Sequence, residues 1–384
     1  MSILPNYLVL DVETTAGLTK GNPFSNGNKL CYTGFGTGRV YSIINHLDAG
    51  YDTKAIQEAL DSTHFLVGFN LRFDCHWLEN IGLDLSRIRL FDCQYAAFLF
   101  SSQQQKYPSL EGTSASYGLD GKLDVVKDEY WSKGVDTVDI PTEIMVQYLE
   151  QDLLTTEEVF LKQWELFQTT EKSKWRLFQL HMEDSHCLRE MERNGILYDT
   201  EKSLQLAQEC EEQLASIGRE FDLPNWFNFG SGDHLSCFLY GGVVSIDTHV
   251  PIGVYKTGAK VGQTMYKIVT HQYEFPRQFE PIKNSELKKD GYYATDAETI
   301  GKLKGTRETK NLLSLLDKRA KLEKLRGTYY AGFPKKLAEM AWRDNYLHPS
   351  LNSVVAITGR LSSSNPNGQN QPTESKVLCL SRFT

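Results

Sequence analysis

The feature that most constrains this chain is a short apolar run, Tyr7 to Leu10, that continues into Asp11-Val12-Glu13-Thr14-Thr15. The run reads as an apolar strand. Side chains at i and i+2 of an extended segment share a face and stand roughly 7 Å apart, so Asp11 and Glu13 place two anions on one small patch. Their repulsion has to be offset. Solvent at a strand end is one way to do so. A divalent metal is the other, and it requires further carboxylates from elsewhere in the chain.

The first hundred residues alternate strands and helices. Lys29 to Phe35 and Arg39 to Ile44 pattern as two strands joined as a hairpin across Gly36-Thr37-Gly38. Thr53 to Leu60 reads as a helix, His64 to Val67 as a short buried strand and Phe73 to Ile81 as the next helix. This order predicts an α/β fold, a mixed sheet flanked by helices. The glycines of "GFGTG" are wrongly spaced for dinucleotide binding, and no helix follows them. Long helices are predicted over Pro141 to Phe167 and Glu171 to Asn194, the second stopped by Asn194-Gly195. Helices over Glu201 to Glu220 and Asn228 to Tyr240 follow. Gly241 to Tyr293 is rich in Gly, Val, Tyr and Pro with little helical period, which predicts a β-rich insertion or long loops. Helix returns over Thr295 to Leu303 and Thr309 to Tyr330, and the chain is irregular from Leu347.

A chain of 384 residues has room for two or three domains. Its 40% hydrophobic and 23% charged residues are those of an ordinary globular protein. No apolar run approaches the ~20 residues of a membrane span, and no basic segment precedes an apolar one at the start. A cytoplasmic, unprocessed protein is expected. The seven cysteines are scattered, without a Cys-x-x-Cys pair, so reduced thiols are expected and no zinc site. The net charge of -8 excludes a generally basic surface, but the charge is uneven. Between Lys302 and Lys336 eleven basic residues face three acidic ones, which reads either as a solvated helix face or as a helix that grips phosphates.

The carboxylates that Asp11 and Glu13 call for occur twice. "GFNLRFDCHWL" places Asn70 four residues before Asp74, near a helix start, and "YLEQDLLTT" places Tyr148 and Asp152 at i and i+4 on one helix face. Singly, each has a plain explanation, a helix-capping Asp or a surface Tyr–Asp hydrogen bond. Together, Asp-x-Glu, Asn-x-x-x-Asp and Tyr-x-x-x-Asp resemble the three motifs of the DEDD superfamily of 3′-to-5′ exonucleases, tyrosine branch, over roughly residues 1 to 170. Beyond them, "MERNGILYD" (191–199), "FNFGSGDHLSCFLYGG" (227–242), "RAKLEKLRGTYY" (319–330) and "LHPSLNSVVAITGRLSSSNPNGQNQP" (347–372) resemble the thumb and early palm of family A DNA polymerases, most closely bacteriophage ones. Gly368 departs from that pattern, which has leucine there.

The resemblance implies a ribonuclease H-like exonuclease domain over residues 1–170. A mainly helical, thumb-like DNA-binding region over 171–345, with an insertion at 241–293, and the start of a palm over 346–384 would follow. It implies two Mg2+ ions, with Mn2+ as a substitute, about 3.5 to 4 Å apart. Asp11 would bridge them, Glu13 and Asp152 would complete one shell, and Asp74 would hold the other ion partly through water. Tyr148 would orient the attacking water, since an ordinary phenol with a pKa of about 10 positions more readily than it deprotonates. Asn70 and Thr14 would contact the single strand near its 3′ end, with Phe69 or Phe73 stacking a base or filling the core. His76 and Cys75 are expected to be packing residues. Lys318, Arg319, Lys321, Lys324 and Arg326 would hold the backbone of primer–template DNA, Arg360 would reach its minor groove, and Asn370 lies in the same segment. No palm aspartate, fingers helix or His-Asp-Glu hairpin is found by "VLCLSRFT", so this chain alone is expected not to incorporate nucleotides. It would then be a proofreading exonuclease portion, or a DNA-binding and assembly subunit completed by a separate palm-fingers chain. A stand-alone RNA exonuclease is a third reading, which the thumb-like segments oppose.

Overall fold

The structure, a computed structural model, describes residues 4–17, 19–51, 53–119 and 125–381. Its first sheet starts from the apolar run: β1 (Tyr7–Thr14), β2 (Leu30–Thr37) and β3 (Val40–Asn45) form an antiparallel meander. After α1 (His46–Ala49) and α2 (Thr53–Asp61), β4 (Phe65–Gly68) comes back parallel to β1. Then α3 (Leu71–Asn80) leads to β5 (Arg89–Asp92), parallel to β4, giving a five-stranded mixed sheet in the order β3-β2-β1-β4-β5. Leu8, Val9 and Leu10 of β1 and Leu66 and Val67 of β4 are all buried, which is why these strands read as unbroken apolar runs.

After β5 come α4 (Cys93–Phe100), α5 (Leu110–Ser116), α6 (Val125–Glu129), α7 (Thr142–Gln168) and α8 (Trp175–Asn194); α7 lies across β1 to β4, α8 and α3 pack on β5, and α5 and α6 pack on α7. α7 presents Met145, Leu149, Leu153 and Phe160 to the core, the spacing of one helical face. The glycines of "GFGTG" serve this packing. A Cβ on Gly34 would come within 2.7 Å of Leu153 Cδ1 and 2.9 Å of Leu149 Cγ, so only glycine lets α7 lie this close to β2. Gly38 takes the left-handed turn conformation, φ 65°, between β2 and β3.

The chain continues through β6 (Ile196–Tyr198), α9 (Thr200–Glu220), α10 (Gly232–Tyr240), β7 (Gly242–Val254), β8 (Thr264–Phe275), α11 (Ala297–Gly301) and α12 (Arg307–Lys324), whose helix passes into a π-helical turn over Leu325–Tyr330. Last come α13 (Gly332–Glu339), β9 (Tyr346–Leu347), β10 (Ser350–Asn352), β11 (Ser362–Ser364), α14 (Thr373–Lys376) and β12 (Cys379–Leu380). By packing the chain forms two units, Met1–Leu204 with Tyr329–Thr384, and Gln205–Thr328. The carboxyl-terminal residues join the first unit because β12 and β9 flank β6 in a small antiparallel sheet. Strands of two or three residues carry no readable period, so the region after Leu347 is more ordered than its sequence suggests. In the second unit, Phe221, Phe227, Phe238, Leu239, Phe279 and Leu316 are among the core residues, and the β-rich insertion is one long antiparallel ribbon, β7 with β8.

Candidate active site

β1 outruns its neighbour. Its pairing with β4 ends at Val9 opposite Val67, whereas its pairing with β2 continues through Asp11 opposite Gly34 and Glu13 opposite Tyr32. The residues past Val9 therefore overhang the carboxyl end of β4, where parallel strands of α/β sheets leave a crevice. Asp74, from the first turn of α3, fills part of this gap: its Oδ1 accepts the Val12 N–H at 3.1 Å. The start of α3 is pinned by Asp92, whose carboxylate accepts from Asn70 N and Leu71 N, both at 3.1 Å, while also capping α4 through Gln94 N at 2.9 Å. Burial holds Asp92 above the usual carboxylate range in spite of these donors. The pinning leaves Asn70 in the left-handed region at φ 62°, a conformation that asparagine tolerates better than most residues.

From the other side, α7 delivers Tyr148 and Asp152. Gly34, the register partner of Asp11, is the residue against which Leu149 and Leu153 press. Burying each leucine contributes roughly 1.5 to 3 kcal/mol, enough to hold α7 in place although it carries Asp152 towards two other carboxylates. One carboxylate oxygen from each of Asp11, Glu13 and Asp152 lies within 4.8 Å of the others. Asp152 is buried, and Asp11 and Glu13 are half-buried. Asp74 stands beside this group of three rather than within it. Burial first, and then the negative charge of Asp11, push its carboxyl well above the usual range. Three convergent carboxylates with a fourth next to them are unfavourable without a cation. Their all-oxygen donor set suits a hard divalent ion and lacks the nitrogen and sulfur ligands common in zinc and copper sites.

The remaining expected residues fall around this group. Tyr148 is half-buried, one turn before Asp152, with Trp131 edge-on at 5.5 Å. Thr14 is half-buried, and its hydroxyl donates to Thr15 O at 3.4 Å. Phe69 and Phe73 pack against the core, and Asn70, Arg72, Phe73 and His76 line a cavity of about 530 Å³. His76 is buried with Nε2 2.9 Å from Glu192 Oε2, and burial pushes the Cys75 thiol up to about 12, so both have structural surroundings. Arg360 and Asn370 are exposed, and Asn370 is held through its carbonyl, which accepts from Tyr329 Oη at 2.7 Å.

Three residues that organise the site escaped sequence reasoning: Gly34, Asp92 and Glu157. Glu157 is a buried carboxylate on α7 that accepts from Tyr7 Oη at 2.7 Å, Tyr41 Oη at 2.6 Å, Gly38 N at 2.6 Å and Arg39 N at 3.0 Å, tying the β2–β3 turn to the helix. Asp92 carried a readable signal, an aspartate at a strand-to-helix junction. Glu157 carried none.

In the second unit, α12 corrects part of the expected DNA surface. Arg319 is not an outward-reaching residue. Its guanidinium lies 4.1 Å over the Phe229 ring, donates to Leu214 O at 3.1 Å and pairs with Glu323 at 2.7 Å. Lys321 pairs with Asp317 at 2.7 Å, and Arg326 with Glu211 at 3.1 Å. Lys318 and Lys324 are exposed and make no ion pair among the described residues.

Comparison with known proteins agrees with the two halves of this picture. A family model described as 3'-5' exonuclease matches residues 4–168, and one described as DNA polymerase family A matches residues 263–381. The chain is 28% identical over 307 residues to DNA polymerase I of Synechocystis sp., covering 80% of this chain, and 24% identical over 324 residues to DNA polymerase I of Treponema pallidum, covering 82%. It spans 27% of the length of each of these relatives. Among solved structures it resembles the POL domain of Pol1 from M. smegmatis in complex with DNA primer-template and dNTP, with a TM-score of 0.67 at 17% identity over 96% of this chain and 53% of that one. At that identity the likeness concerns the fold. Among the described residues, no helix is long and apolar enough to cross a membrane.

Proposed function

Because the chain joins a 3′-to-5′ exonuclease domain to part of a family A DNA polymerase domain, we propose that it is a metal-dependent 3′-to-5′ DNA exonuclease serving in proofreading. The observation that carries this reading is the convergence of Asp11, Glu13 and Asp152 at the overhanging end of β1, with Asp74 beside them. Magnesium, with manganese as a substitute, is the ion proposed; a bound pair supplies a nucleophilic hydroxide from water and neutralises the leaving 3′-oxygen. Asp11, Glu13 and Asp152 would hold one ion, and Asp74 would contribute to a second. Tyr148, one turn before Asp152 on the same face of α7, would orient the attacking water by a hydrogen bond. Asn70, Thr14 and Phe73 contact the last nucleotides of a frayed strand. The exposed Lys318 and Lys324 meet the backbone of primer–template DNA, and Arg360, with Asn370 in the same segment, reaches its minor groove.

We propose the kinship with phage enzymes from residues 191–199, 227–242, 319–330 and 347–372, whereas the relatives that the chain matches are bacterial. We also infer that residues 1–384 do not by themselves extend a primer, and a primer-extension assay with and without a separate palm-fingers polypeptide tests this. The nuclease reading is tested by 3′-labelled single-stranded DNA with magnesium. Mononucleotides should be released from the 3′ end, and chelator or Asp11→Ala with Glu13→Ala should abolish the release. Undiminished hydrolysis in that double variant would overturn the assignment, and a matched RNA oligonucleotide should be cut more slowly than DNA.

A further inference from the structure

Glu192 lies on α8, outside the group of convergent carboxylates, yet it grips the helix that carries Asp74. Its buried carboxylate is shared three ways. Oε2 lies 2.9 Å from His76 Nε2 and 3.4 Å from Arg72 Nε, and Oε1 accepts the Leu351 N–H at 2.6 Å. Arg72 and His76 sit four apart on α3 and so share a face, while Asp74, midway between them, projects to the other side. A grip on one face therefore sets the rotation of the other. α8 holds the same helix a second time further along: Glu79 pairs with Arg189 Nε at 3.0 Å and with Arg193 Nη2 at 2.7 Å. Arg72 also donates to Leu351 O, and His348 Nδ1 lies 2.8 Å from Glu192 O, so residues 348–351 are fastened to the same carboxylate-bearing turn.

We propose that Glu192 is a positioning residue for the nuclease site: it fixes the rotation of α3, and thereby the place of Asp74, and makes that placement depend on the seating of β10. The inference rests on reading the carboxylates as a metal-dependent nuclease centre. A displacement of about 1 Å at a reacting group costs on the order of 100-fold in rate, so a small rotation is enough to be read in kinetics. A purely structural role for Glu192 would lower stability and leave kinetic constants alone.

Glu192→Gln keeps the volume and an acceptor for Leu351 N while removing the charge that faces Arg72. Measured on the full chain, this variant should lower kcat for 3′-end hydrolysis by about 10- to 100-fold. KM for a single-stranded oligonucleotide should stay near its original value, and Mn2+ titrated without DNA and followed by electron paramagnetic resonance should bind more weakly. Leu60→Ala removes buried side-chain volume on α2, which carries none of the site residues and does not touch Glu192, so it should lower Tm while leaving kcat and Mn2+ binding unchanged. If Glu192→Gln does not fold, His76→Phe breaks the same link from the α3 side and should give the same kcat and Mn2+ losses. An active parent whose Glu192→Gln and His76→Phe forms keep full kcat and Mn2+ binding overturns the positioning role alone. A kcat loss that Leu60→Ala reproduces at equal Tm loss overturns it too. A parent that neither binds Mn2+ nor cuts DNA overturns the nuclease reading along with it.

Discussion

α7 and α12 both carry ionisable side chains one helical turn apart, and they use them in opposite ways. On α12 the turn-spaced partners are of opposite sign, Lys321 with Asp317 and Arg319 with Glu323, and each pair closes on itself at 2.7 Å. On α7 the turn-spaced partners are a phenol and an acid, Tyr148 and Asp152, and the helix presses the acid against carboxylates of a different element. Opposite charges at i and i+4 contribute only a few tenths of a kcal/mol, net of the side-chain entropy lost in holding them together. Like charges gathered from distant parts of a chain cost folding energy, so their survival points to a bound cation. Spacing alone therefore says little, and the sign and origin of the charges say much.

The sharpest way to break the comparison is to neutralise one acid in each helix. Asp152→Asn should reduce 3′-end hydrolysis by roughly 100- to 1,000-fold. It should leave Tm unchanged or raise it, because the substitution relieves repulsion. Asp317→Asn should alter stability by less than about 1 kcal/mol and leave hydrolysis alone. A fall of many degrees in Tm for Asp152→Asn, seen by calorimetry without metal, would mean that the acid is a structural partner and that the two helices do not differ as argued.

The packing that brings Asp152 into place can be tested next. Gly34→Ala puts a methyl group where Leu149 and Leu153 now touch β2, so α7 must move. A destabilisation of about 1 to 3 kcal/mol in urea unfolding is expected. It should come with a loss of Mn2+ affinity, since Asp152 moves with the helix while Asp11 does not.

The next effect comes from Glu157, which anchors the same helix. Burial pushes its carboxyl up, but Tyr41, Tyr7, Gly38 N and Arg39 N together pull it below the usual range. A carboxyl that releases its proton more readily when folded stabilises the protein above the unfolded pKa of about 4.3, and that stability is lost as the pH falls through the lower folded value. Glu157→Gln should therefore cost about 1.5 to 3 kcal/mol at pH 7 and flatten the acid side of the stability profile. Urea midpoints at pH 7 and pH 3 would show this. An equally steep acid limb in the variant would assign the pH dependence to other groups.

The fold was legible where the sequence forces a choice. An apolar run ending in two same-face acids, a helix start at Asn70 to Asp74 and a long amphipathic α7 gave the mixed sheet; of the four acids expected to converge, Asp11, Glu13 and Asp152 come together and Asp74 stands beside them. Two kinds of feature stayed hidden. Gly34 is meaningful only through its register with Asp11 and the leucines above it, and register is a pairing between distant segments. Glu157 and Glu192 look like ordinary helix-surface glutamates, and their buried donors come from turns and strands that no local pattern connects to them. The same limit explains Arg319. A basic run announces positive charge, but which of its members pack on an aromatic ring is decided by the tertiary fold.

The faintest effect lies on α12 itself. Lys310, Lys318 and Lys324 are members of the basic run that α12 leaves exposed without an ion pair among the described residues, whereas Arg319 is held by Phe229, Leu214 and Glu323. If exposed lysines on α12 meet DNA, each releases counterions, and the slope of log affinity against log salt changes by about 0.9 per phosphate contact on a duplex. Lys318→Ala with Lys324→Ala should then flatten the salt dependence by up to about two contacts, equally for duplexes of unrelated sequence, with hydrolysis of single strands unchanged. Arg319→Ala should do the reverse, leaving the slope alone and lowering the stability of the second unit, because it removes a ring contact and a buried donor. An unchanged slope in the lysine variant would mean that α12 is a solvated face throughout, and that the DNA grip must come from elsewhere in the chain.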